Sequence, residues 1–170
     1  MEYIIKKILK SDWQKYKNIR LEALKNEPSA FGSSYEEEFK RSDKEWQKRL
    51  EVSEQQNSDR FFYAISVNNK FFAIGGTYKD DRKEWNVMAI YTKKEFRGLG
   101  LGKKLMSGIL NEFKKIGVKK VFLAVNTHQI AAIALYKKFD FKVINTIKNQ
   151  LLGDGEYYDE FEMVKDLSMK

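Results

Sequence analysis

The stretch from Trp85 to Phe113 reads WNVMAIYTKKEFRGLGLGKKLMSGILNEF and decides the fold. Its first part, residues 87–91, is an apolar run of the length of a buried strand. Its last part repeats apolar residues every three or four positions, as one face of a helix does. That stripe consists of Leu101, Leu105, Met106, Ile109, Leu110 and Phe113. Glycines at positions 98, 100 and 102 therefore lie where a strand is followed by a helix.

The glycine-rich turn has the properties of an anion-binding site. The first N–H groups of a helix have no partner inside the helix, and the helix dipole adds partial positive charge there. Glycines allow φ > 0 and let a phosphate approach the backbone closely. We therefore expect the backbone from Arg97 to Lys103 to bind a pyrophosphate, with further positive charge from Lys104. The residues between the two ends of this run are Gly98, Leu99, Gly100, Leu101 and Gly102.

Two common phosphate-binding motifs do not fit this turn. The dinucleotide fingerprint needs G-x-G-x-x-G in the first βαβ unit, whereas the spacing here is G-x-G-x-G past the middle of the chain. The P-loop pattern fails because Gly102-Lys103 is followed by Lys104 rather than by Ser or Thr. An ordinary glycine-rich loop remains the alternative to an anion-binding turn.

Length and composition indicate one packed globular domain, which we expect to span residues 1–170. Apolar residues make up 42% of the chain and aromatic residues 14%. There is no cysteine and one histidine, His128, so we expect neither disulfides nor a metal site. No apolar run approaches the ~18 residues of a membrane span, and the first residues lack the apolar region of a signal peptide. The sequence predicts a cytoplasmic protein without membrane contact.

The net charge of +8 is unevenly distributed along the chain. Residues 93–120 contain nine Lys or Arg against two acidic residues, so the positive surplus is expected around the glycine turn. Residues 34–59 contain eight acidic against five basic residues. A basic region beside an anion-binding turn fits a ligand that carries several phosphates, and RNA is the alternative. The acidic region fits a cationic partner or, equally well, the solvated faces of helices.

The rest of the chain alternates strands and helices. After an opening strand, one helix begins at Ser11 or Asp12 and ends at Asn26, and a second runs from Ser33 or Ser34 to Leu50. The predicted order is β-α-α-β-β-β-α-β-α-β-β. This order indicates an α/β (α+β) fold with a mixed, mostly antiparallel sheet and helices packed on it. Parallel pairing is expected only in the crossover of residues 85–125.

Two motifs, in this order, resemble those of the GCN5-related N-acetyltransferase (GNAT) superfamily. Its acetyl-CoA signature, R/Q-x-x-G-x-G/A, is filled by Arg97, Gly100 and Gly102. Its pattern N…A…LYxxxGF is similar to the segment from Asn126 to Phe141, except that Asp140 stands where glycine is usual. The resemblance implies a GNAT-like fold with helices on both faces of the sheet and a central parallel strand pair that splays apart. It also implies that acetyl-CoA is the co-substrate.

The resemblance also implies roles for individual residues. The strand before the glycine turn would offer backbone groups to the pantetheine arm from Met88, Ala89 and Ile90. Asn126 would hydrogen-bond the pantetheine arm or the acceptor, or would simply cap the following helix. Tyr136 would protonate the departing thiolate, because a phenol of pKa ~10 is a suitable acid for a thiol that titrates at about 8.5. The alternative for Tyr136 is a place in the core.

The acceptor side of the reaction needs further groups. An amine is mostly protonated at pH 7 and has to lose a proton before it attacks the thioester. Glu84 occupies the strand position where several superfamily members carry a general base, acting directly or through water, or it is an ordinary solvated acid. Members often line the acceptor pocket at the positions of Ser33, Ser34, Tyr35 and Glu36, which a helix N-terminus would explain as well.

The sequence thus predicts an acetyl-CoA-dependent N-acetyltransferase that moves the acetyl group directly onto a primary amine. The acceptor could be a small amine, an amino acid, a polyamine, an aminoglycoside or a protein amine. One alternative is a CoA-binding sensor or regulatory module with little turnover. A second alternative is an RNA-binding protein, which the lack of RNP-type signatures disfavours. A homodimer is the default expectation for the assembly.

Overall fold

The computed structural model of the protein describes residues 2–168, which form a mixed seven-stranded sheet with five α-helices. The strands are β1 (Ile4–Lys7), β2 (Arg60–Val67), β3 (Lys70–Lys79), β4 (Trp85–Thr92), β5 (Lys120–Asn126), β6 (Lys142–Leu151) and β7 (Tyr157–Asp166). The helices are α1 (Trp13–Asn26), α2 (Tyr35–Phe39), α3 (Asp43–Glu51), α4 (Leu101–Lys115) and α5 (Ile130–Lys138). None of the helices in this part of the chain is long and apolar enough to cross a membrane.

The strands lie in the order β1-β2-β3-β4-β5-β7-β6. Every neighbouring pair is antiparallel except β4 and β5, which are parallel and are joined by α4. The predicted α/β (α+β) fold is therefore confirmed, and so is the prediction that parallel pairing occurs only in the 85–125 crossover.

Helices cover both faces of the sheet, as expected. On one face, α1 and α3 bury a core that includes Ile8, Tyr16, Ile19, Leu24, Trp46, Leu50, Phe62, Ile74 and Tyr91. On the other face, α4 and α5 bury a core that includes Ile65, Trp85, Leu105, Ile109, Phe113, Val121, Leu123, Tyr136 and Met163. We call these the α1 face and the α4 face. All six residues of the predicted α4 stripe are buried, and each contributes roughly 1.5–3 kcal/mol on leaving water.

The predicted second helix was wrong in one respect, because it is two helices rather than one. Ser34 caps α2 and Ser42 caps α3, and each accepts a hydrogen bond from the N–H of a glutamate three residues later. The side chains of those glutamates, Glu37 and Glu45, bond back to the N–H of the capping serine. Two complete capping boxes fall within twelve residues, so the second box starts a new helix and interrupts the first.

Candidate active site

The parallel strands β4 and β5 are joined over two residue pairs only, Trp85 with Val121 and Asn86 with Phe122. Both strands continue beyond these pairs, so they separate toward their carboxyl ends. We call the opening between them, beyond Asn86 and Phe122, the β4–β5 cleft. Those backbone groups of β4 that point toward the cleft have no strand partner and are available to hydrogen-bond a ligand.

A β-bulge lies in β4 beside the cleft, where Ala89 and Ile90 together face the single residue Gly75 of β3. Ala89 has a φ of +56°, a left-handed conformation that costs a non-glycine residue roughly 1–2 kcal/mol. Bulges bend a strand and change the direction of its backbone groups, and backbone strain of this kind is often found at functional sites. The residues predicted to bind the pantetheine arm, Met88, Ala89 and Ile90, therefore lie at the bulge.

The glycine turn leaves a row of backbone donors free at the amino end of α4. Gly98 and Gly100 have φ values of +80° and +75°, which explains the need for glycine. Within residues 2–168, no N–H from Gly98 to Lys103 donates to a protein acceptor; the first helical bond runs from Lys104 N–H to Gly100 O at 2.9 Å. A Cβ atom added at either glycine would meet no atom of the described residues within 4 Å, apart from its neighbours in the chain. The space in front of these donors is thus open, as an anion site requires.

Arg97 differs from the rest of the predicted phosphate-binding run. Its N–H donates to Lys94 O at 3.3 Å and is therefore not free. Its guanidinium donates to Thr92 O at 3.2 Å and to Glu27 Oε1 at 2.8 Å. The side chain of Arg97 thus fastens the glycine turn to the end of α1, and its charge is partly neutralised by Glu27.

The basic surplus of residues 93–120 is divided between the two ends of α4, so the expectation that it surrounds the glycine turn was wrong. Lys103 and Lys104 are exposed in the first turn of the helix, which contains no acidic residue. The opposite end carries Lys114, Lys115, Lys119 and Lys120. A helix of this length separates the groups by roughly 20 Å, so only the first group adds to the field at the free amides.

Tyr136 is positioned by the way α5 ends. Asp140 N–H donates to Lys137 O at 3.0 Å and Phe141 N–H donates to Tyr136 O at 3.2 Å, which are the paired bonds of a Schellman motif. Asp140 has a φ of +62°, the left-handed conformation for which glycine is usual, so its departure from the family pattern is absorbed by the turn. The rings of Tyr136 and Phe141 lie 6.1 Å apart, and this contact fixes the tyrosine ring.

The phenol of Tyr136 is buried and stays protonated at neutral pH. Its side chain lies in the core of the α4 face and is 7% exposed. Burial raises the pKa of the Tyr136 phenol far above its usual value, so the hydroxyl keeps its proton at neutral pH. Within residues 2–168 this hydroxyl has no hydrogen-bond partner. A protonated phenol is what the predicted role of Tyr136 requires, and that role stays a prediction.

Asn126 ends β5, and its buried side chain holds two loops. The amide nitrogen donates to Ser29 O at 2.9 Å, and the amide oxygen accepts from His128 N–H at 2.9 Å. Gln129 adds a bond to Ser29 Oγ at 3.2 Å. Asn126 thus stabilises the start of the α5 turn and fastens the segment after α1 beside the cleft. One amide hydrogen remains for the predicted bond to a ligand.

Glu84 lies apart from the other predicted site residues. It precedes β4, and its N–H donates to Asp80 Oδ1 at 2.9 Å. It lines a surface pocket with Lys79, Lys83, Ile116, Lys119 and Lys120. The two paired rows of β4 and β5 lie between Glu84 and the cleft, which opens at the other end of the strands. A direct contact of Glu84 with a group in the cleft is therefore not supported by this geometry.

The four residues predicted for the acceptor pocket lie at the start of α2. Ser34 is its capping residue, Tyr35 stacks on Phe39 at 5.5 Å, and Glu36 is exposed. Ser33 Oγ accepts from the guanidinium of Arg20 at 3.2 Å. These contacts explain the four residues structurally, which leaves their predicted role at the acceptor pocket open.

The segment before α2 meets the turn between β6 and β7. Gly153 N–H donates to Phe31 O at 2.7 Å, and the guanidinium of Arg20 lies 4.6 Å from the Phe31 ring. Ser29 in the same segment is bonded to Asn126. The segment is therefore fixed at three points and forms a wall of the cleft on the α1 face.

Most of the acidic residues in the 34–59 region have structural partners. Glu37 and Glu45 complete the capping boxes, and Glu38 is bound by two bonds to Arg49 at 2.7 and 2.9 Å. The remaining engaged acids are Asp43 with Lys17, Glu51 with Lys10, Glu54 with the N–H of Lys10, and Asp59 with Lys79. Helix capping and ion pairing thus explain this region better than a cationic partner does.

Sequence reasoning missed Glu160, which lies on β7 directly opposite Asn126 of β5. Cross-strand partners point to the same face of a sheet, so Glu160 faces the α1 side at the open end of the cleft. Its sequence signal, an acid in a terminal strand, is too common to single out. Only the pairing of β7 with β5 reveals its position.

In sequence, the chain resembles known acetyltransferases. A sequence model of the acetyltransferase (GNAT) family matches residues 18–141, more than half of the chain. A spermine/spermidine N(1)-acetyltransferase of Bacillus subtilis (strain 168) is 28% identical over 104 residues, which cover 59% of this chain and 63% of that protein. N-alpha-acetyltransferase 50 of Danio rerio is 29% identical over 115 residues, covering 54% and 68%. The chain therefore matches less than two thirds of the Bacillus protein.

Solved structures share the fold at low sequence identity. An acetyltransferase of the GNAT family from Streptococcus pneumoniae superposes with a TM-score of 0.81 at 19% identity, over 97% of this chain and 99% of the other. The protein yncA of Salmonella typhimurium, solved with its cofactor acetyl-CoA, gives 0.82 at 17% identity, over 98% and 95%. The splayed strands and glycine turn lie in the region that the family model matches. The chain belongs to the acetyltransferase (GNAT) family.

Proposed function

We propose that the protein is an N-acetyltransferase that moves the acetyl group of acetyl-CoA directly onto a primary amine. The observation that carries this proposal is the row of free backbone donors from Gly98 to Lys103, which stands at the head of α4 beside the β4–β5 cleft. A pyrophosphate bound there would direct the attached pantetheine arm along the unpaired edge of β4. Membership of the GNAT family supports the same assignment.

The residues around the cleft suit this co-substrate. Backbone amides and the exposed Lys103 and Lys104 would bind the pyrophosphate, and the first turn of α4 contains no carboxylate that would repel it. The bulge residues Met88, Ala89 and Ile90 would offer backbone groups to the pantetheine amides. A free N–H of β4 would polarise the thioester carbonyl, as an oxyanion hole does.

The proton steps are assigned to side chains on the two sides of the transfer. The amine nitrogen attacks the carbonyl carbon, the carbon–sulfur bond breaks, and Tyr136 gives its proton to the departing thiolate. The amine has to lose a proton before the attack. Glu84, as the sequence predicts, would perform this only through a chain of water molecules, because the paired ends of β4 and β5 separate it from the cleft.

The chemical class of the acceptor is a primary amine, and its identity is a finer proposal. The Bacillus relative is named for spermine and spermidine and the Danio relative for protein N-termini. We expect polyamines and N-terminal peptides to be the first acceptors to test. A cytoplasmic location and a homodimer stay predictions.

The proposal is tested by ligand-induced stabilisation. Acetyl-CoA at about 100 times its Kd adds roughly 2.7 kcal/mol to the unfolding free energy, which corresponds to a Tm increase of roughly 5–10 °C. Gly100→Leu should lose this increase, because a bulky side chain within the run of free amides, at a φ of +75°, would hinder the approach of a pyrophosphate. Differential scanning fluorimetry with and without acetyl-CoA measures it.

Gly117→Leu is the matched control. Gly117 lies after the other end of α4, has a φ of +76° and also has open space around it, so both variants carry the same backbone strain. Only Gly100→Leu should lose the acetyl-CoA effect, and an unchanged increase in that variant would contradict the proposed site. Thiol release from acetyl-CoA over an amine panel then tests turnover. Tight binding without release for any amine would favour the sensor alternative.

A further inference from the structure

The carboxylate of Glu160 is the unpaired acid at the open end of the cleft. Glu160 is partly buried on β7, between its strand partners Asn126 and Ile147. Within residues 2–168 it takes part in no hydrogen bond or ion pair. Its neighbours on the same strand differ in this respect, since Asp159 is bound by Lys148 at 2.6 Å and Glu162 by Arg82 at 3.2 Å.

Access to Glu160 is from the α1 face. The next residue pair along β5 and β7 on this face is Ala124 with Glu162, and Ala124 is exposed although it lies in a central strand. The helices α1 and α3 pack on β1 to β4, and the segment of residues 28–30 contacts β5 at its Asn126 end, so the surface around Ala124 is left open. We call this open strip of β5 and β7, which runs from Ala124 toward Glu160, the groove.

The titratable and charged groups that face this groove lie on β3, on β7 and in the turn before β4. Tyr78 of β3 is close enough to Glu160 for the carboxylate charge to help raise the pKa of the phenol, after burial and Asp80. Arg82, in the turn before β4, is bound to both Asp80 and Glu162 at 3.0 and 3.2 Å, so its charge is compensated. No cation neutralises Glu160 itself within the described residues.

Two substrates have to meet in the cleft from opposite faces of the sheet. The free amides of α4 and the phenol of Tyr136 lie on the α4 face. A thioester held from that side leaves only the α1 face for the acceptor to approach. An acid–base pair for direct transfer therefore needs its proton donor on the α4 face and its proton acceptor on the α1 face.

We propose that Glu160 binds the ammonium group of the acceptor amine and takes its proton before transfer. This rests on the proposed function and names Glu160, rather than Glu84, as the base. The proton moves from the nitrogen to a Glu160 carboxylate oxygen, and the neutral amine attacks the thioester carbon. The carbon–sulfur bond breaks, its electron pair stays on sulfur, and Tyr136 protonates the thiolate. The acceptor class is a primary alkyl ammonium ion on a chain slim enough for the groove.

The environment of Glu160 suits a proton acceptor. Burial raises the pKa of its carboxyl above the usual range, so its conjugate acid is weaker than that of an exposed glutamate. Below this pKa the carboxyl is protonated and binds no cation, so kcat/KM for the amine should fall as the pH decreases through it.

The test compares Glu160→Gln, Glu84→Gln and Glu112→Gln with spermidine as the acceptor probe. We expect Glu160→Gln to reduce kcat/KM by about 100-fold, the usual size of a general-base contribution. The acid limb of its pH profile should disappear, and the Tm increase with acetyl-CoA should stay unchanged. Glu160→Asp should recover part of the rate. Glu112→Gln, the same change at a solvent-exposed side chain of α4 that is bonded to Lys115, should stay within about threefold of the wild type.

Two results would overturn the inference. One is a Glu160→Gln variant with wild-type kcat/KM and an unchanged acid limb. The other is a pH profile of kcat/KM that loses its acid limb in Glu84→Gln and keeps it in Glu160→Gln. If the wild type releases no thiol with any amine, calorimetry of spermidine binding to the CoA-saturated protein decides instead. If Glu160→Gln binds spermidine at least tenfold more weakly than the wild type, the ammonium site is supported even though the proposed function has failed. If both proteins bind spermidine equally, or the wild type does not bind it, the ammonium site is contradicted.

Discussion

At the scale of single residues, the site depends on backbone conformations that side chains rarely adopt. Ala89 at +56° forms the bulge, and Asp140 at +62° ends α5. Each occupies a left-handed position without being glycine, at a cost of roughly 1–2 kcal/mol that the surrounding structure has to offset. The bulge aims the backbone of β4 at the cleft, and the turn at Asp140 presents Tyr136. Two of the seven non-glycine residues with positive φ in residues 2–168 thus lie at places that the proposed chemistry uses.

The first prediction concerns the hydroxyl of Tyr136 as the proton donor. Tyr136→Phe removes the proton donor but keeps the ring that packs against Phe141, so kcat should fall by about 100-fold while the Tm increase with acetyl-CoA is retained. Tyr63→Phe is the control, because Tyr63 is also a buried tyrosine whose pKa is raised to about 12, mainly by burial, but it lies on β2. Steady-state kinetics of both variants decide the question. Equal rates for Tyr136→Phe and the wild type would assign Tyr136 to the core alone.

At the scale of elements, the short helices α2 and α3 depend on their caps. A helix of five or nine residues is too short to be stable by itself. The two serine–glutamate boxes provide partners for the first N–H groups of each helix, and packing of Trp46 and Leu50 anchors α3. The start of α2 is positioned by the segment before it, which is bonded to Arg20, Asn126 and Gly153.

Variants of the two capping serines distinguish an effect on stability from an effect on acceptor binding. Ser34→Ala and Ser42→Ala should each lower the unfolding free energy by about 1 kcal/mol, measured by urea denaturation. Ser34 adjoins the cleft wall through Ser33, whereas Ser42 lies between two helices away from it. We therefore expect KM for the amine to rise in Ser34→Ala only. Equal KM values for the amine in both variants would show that the start of α2 does not contribute to acceptor binding.

At the scale of the whole molecule, a buried charge network joins α1, α2 and α3. Glu38 is 2% exposed and accepts two bonds from Arg49, while Arg20, also buried, lies close enough to interact with its charge. Burial raises the pKa of the Glu38 carboxyl, but the bonds from Arg49 and the charges of Arg49, Arg20 and Arg41 outweigh burial, so the net pKa is lowered. The three helices are therefore linked through one ionised carboxylate.

This network predicts how stability changes with pH. Because the folded pKa of Glu38 is lowered, its contribution is complete above the unfolded pKa of about 4.3 and is lost as the pH falls toward the folded value. Glu38→Gln removes the carboxylate bound by the partly buried Arg49 and close to the buried Arg20, and it should cost about 3 kcal/mol at pH 7. The exposed Glu36→Gln should cost nothing measurable. Denaturation at pH 7 and below pH 4 should show the difference between wild type and Glu38→Gln shrinking, and a constant difference would contradict this account.

Much of the fold could be predicted because it depends on local patterns. The apolar stripe of α4, the run of residues 87–91 and the glycines between them are periodic or conformational signals that the structure reproduces. The split of α2 from α3 was missed even though both capping boxes are visible in the sequence. The apolar residues Phe39, Trp46 and Leu50 recur at helical spacing on both sides of the break, as they would in one helix. The charge surplus was misplaced because residues 93–120 contain a whole helix, and its length separates charges that are close in sequence.

The sequence by itself determined the strand–turn–helix unit, the family resemblance and the free amides at residues 98–103. These depend on interactions within a few residues, such as glycine conformation and the missing partners of a first helical turn. Only the tertiary structure decided which acids face the cleft. It placed Glu84 beyond the paired ends of β4 and β5 and brought Glu160 opposite Asn126, across 34 positions of sequence. The physical reason is that strand order and register are determined by the burial of both faces of the sheet at once, which no single segment specifies.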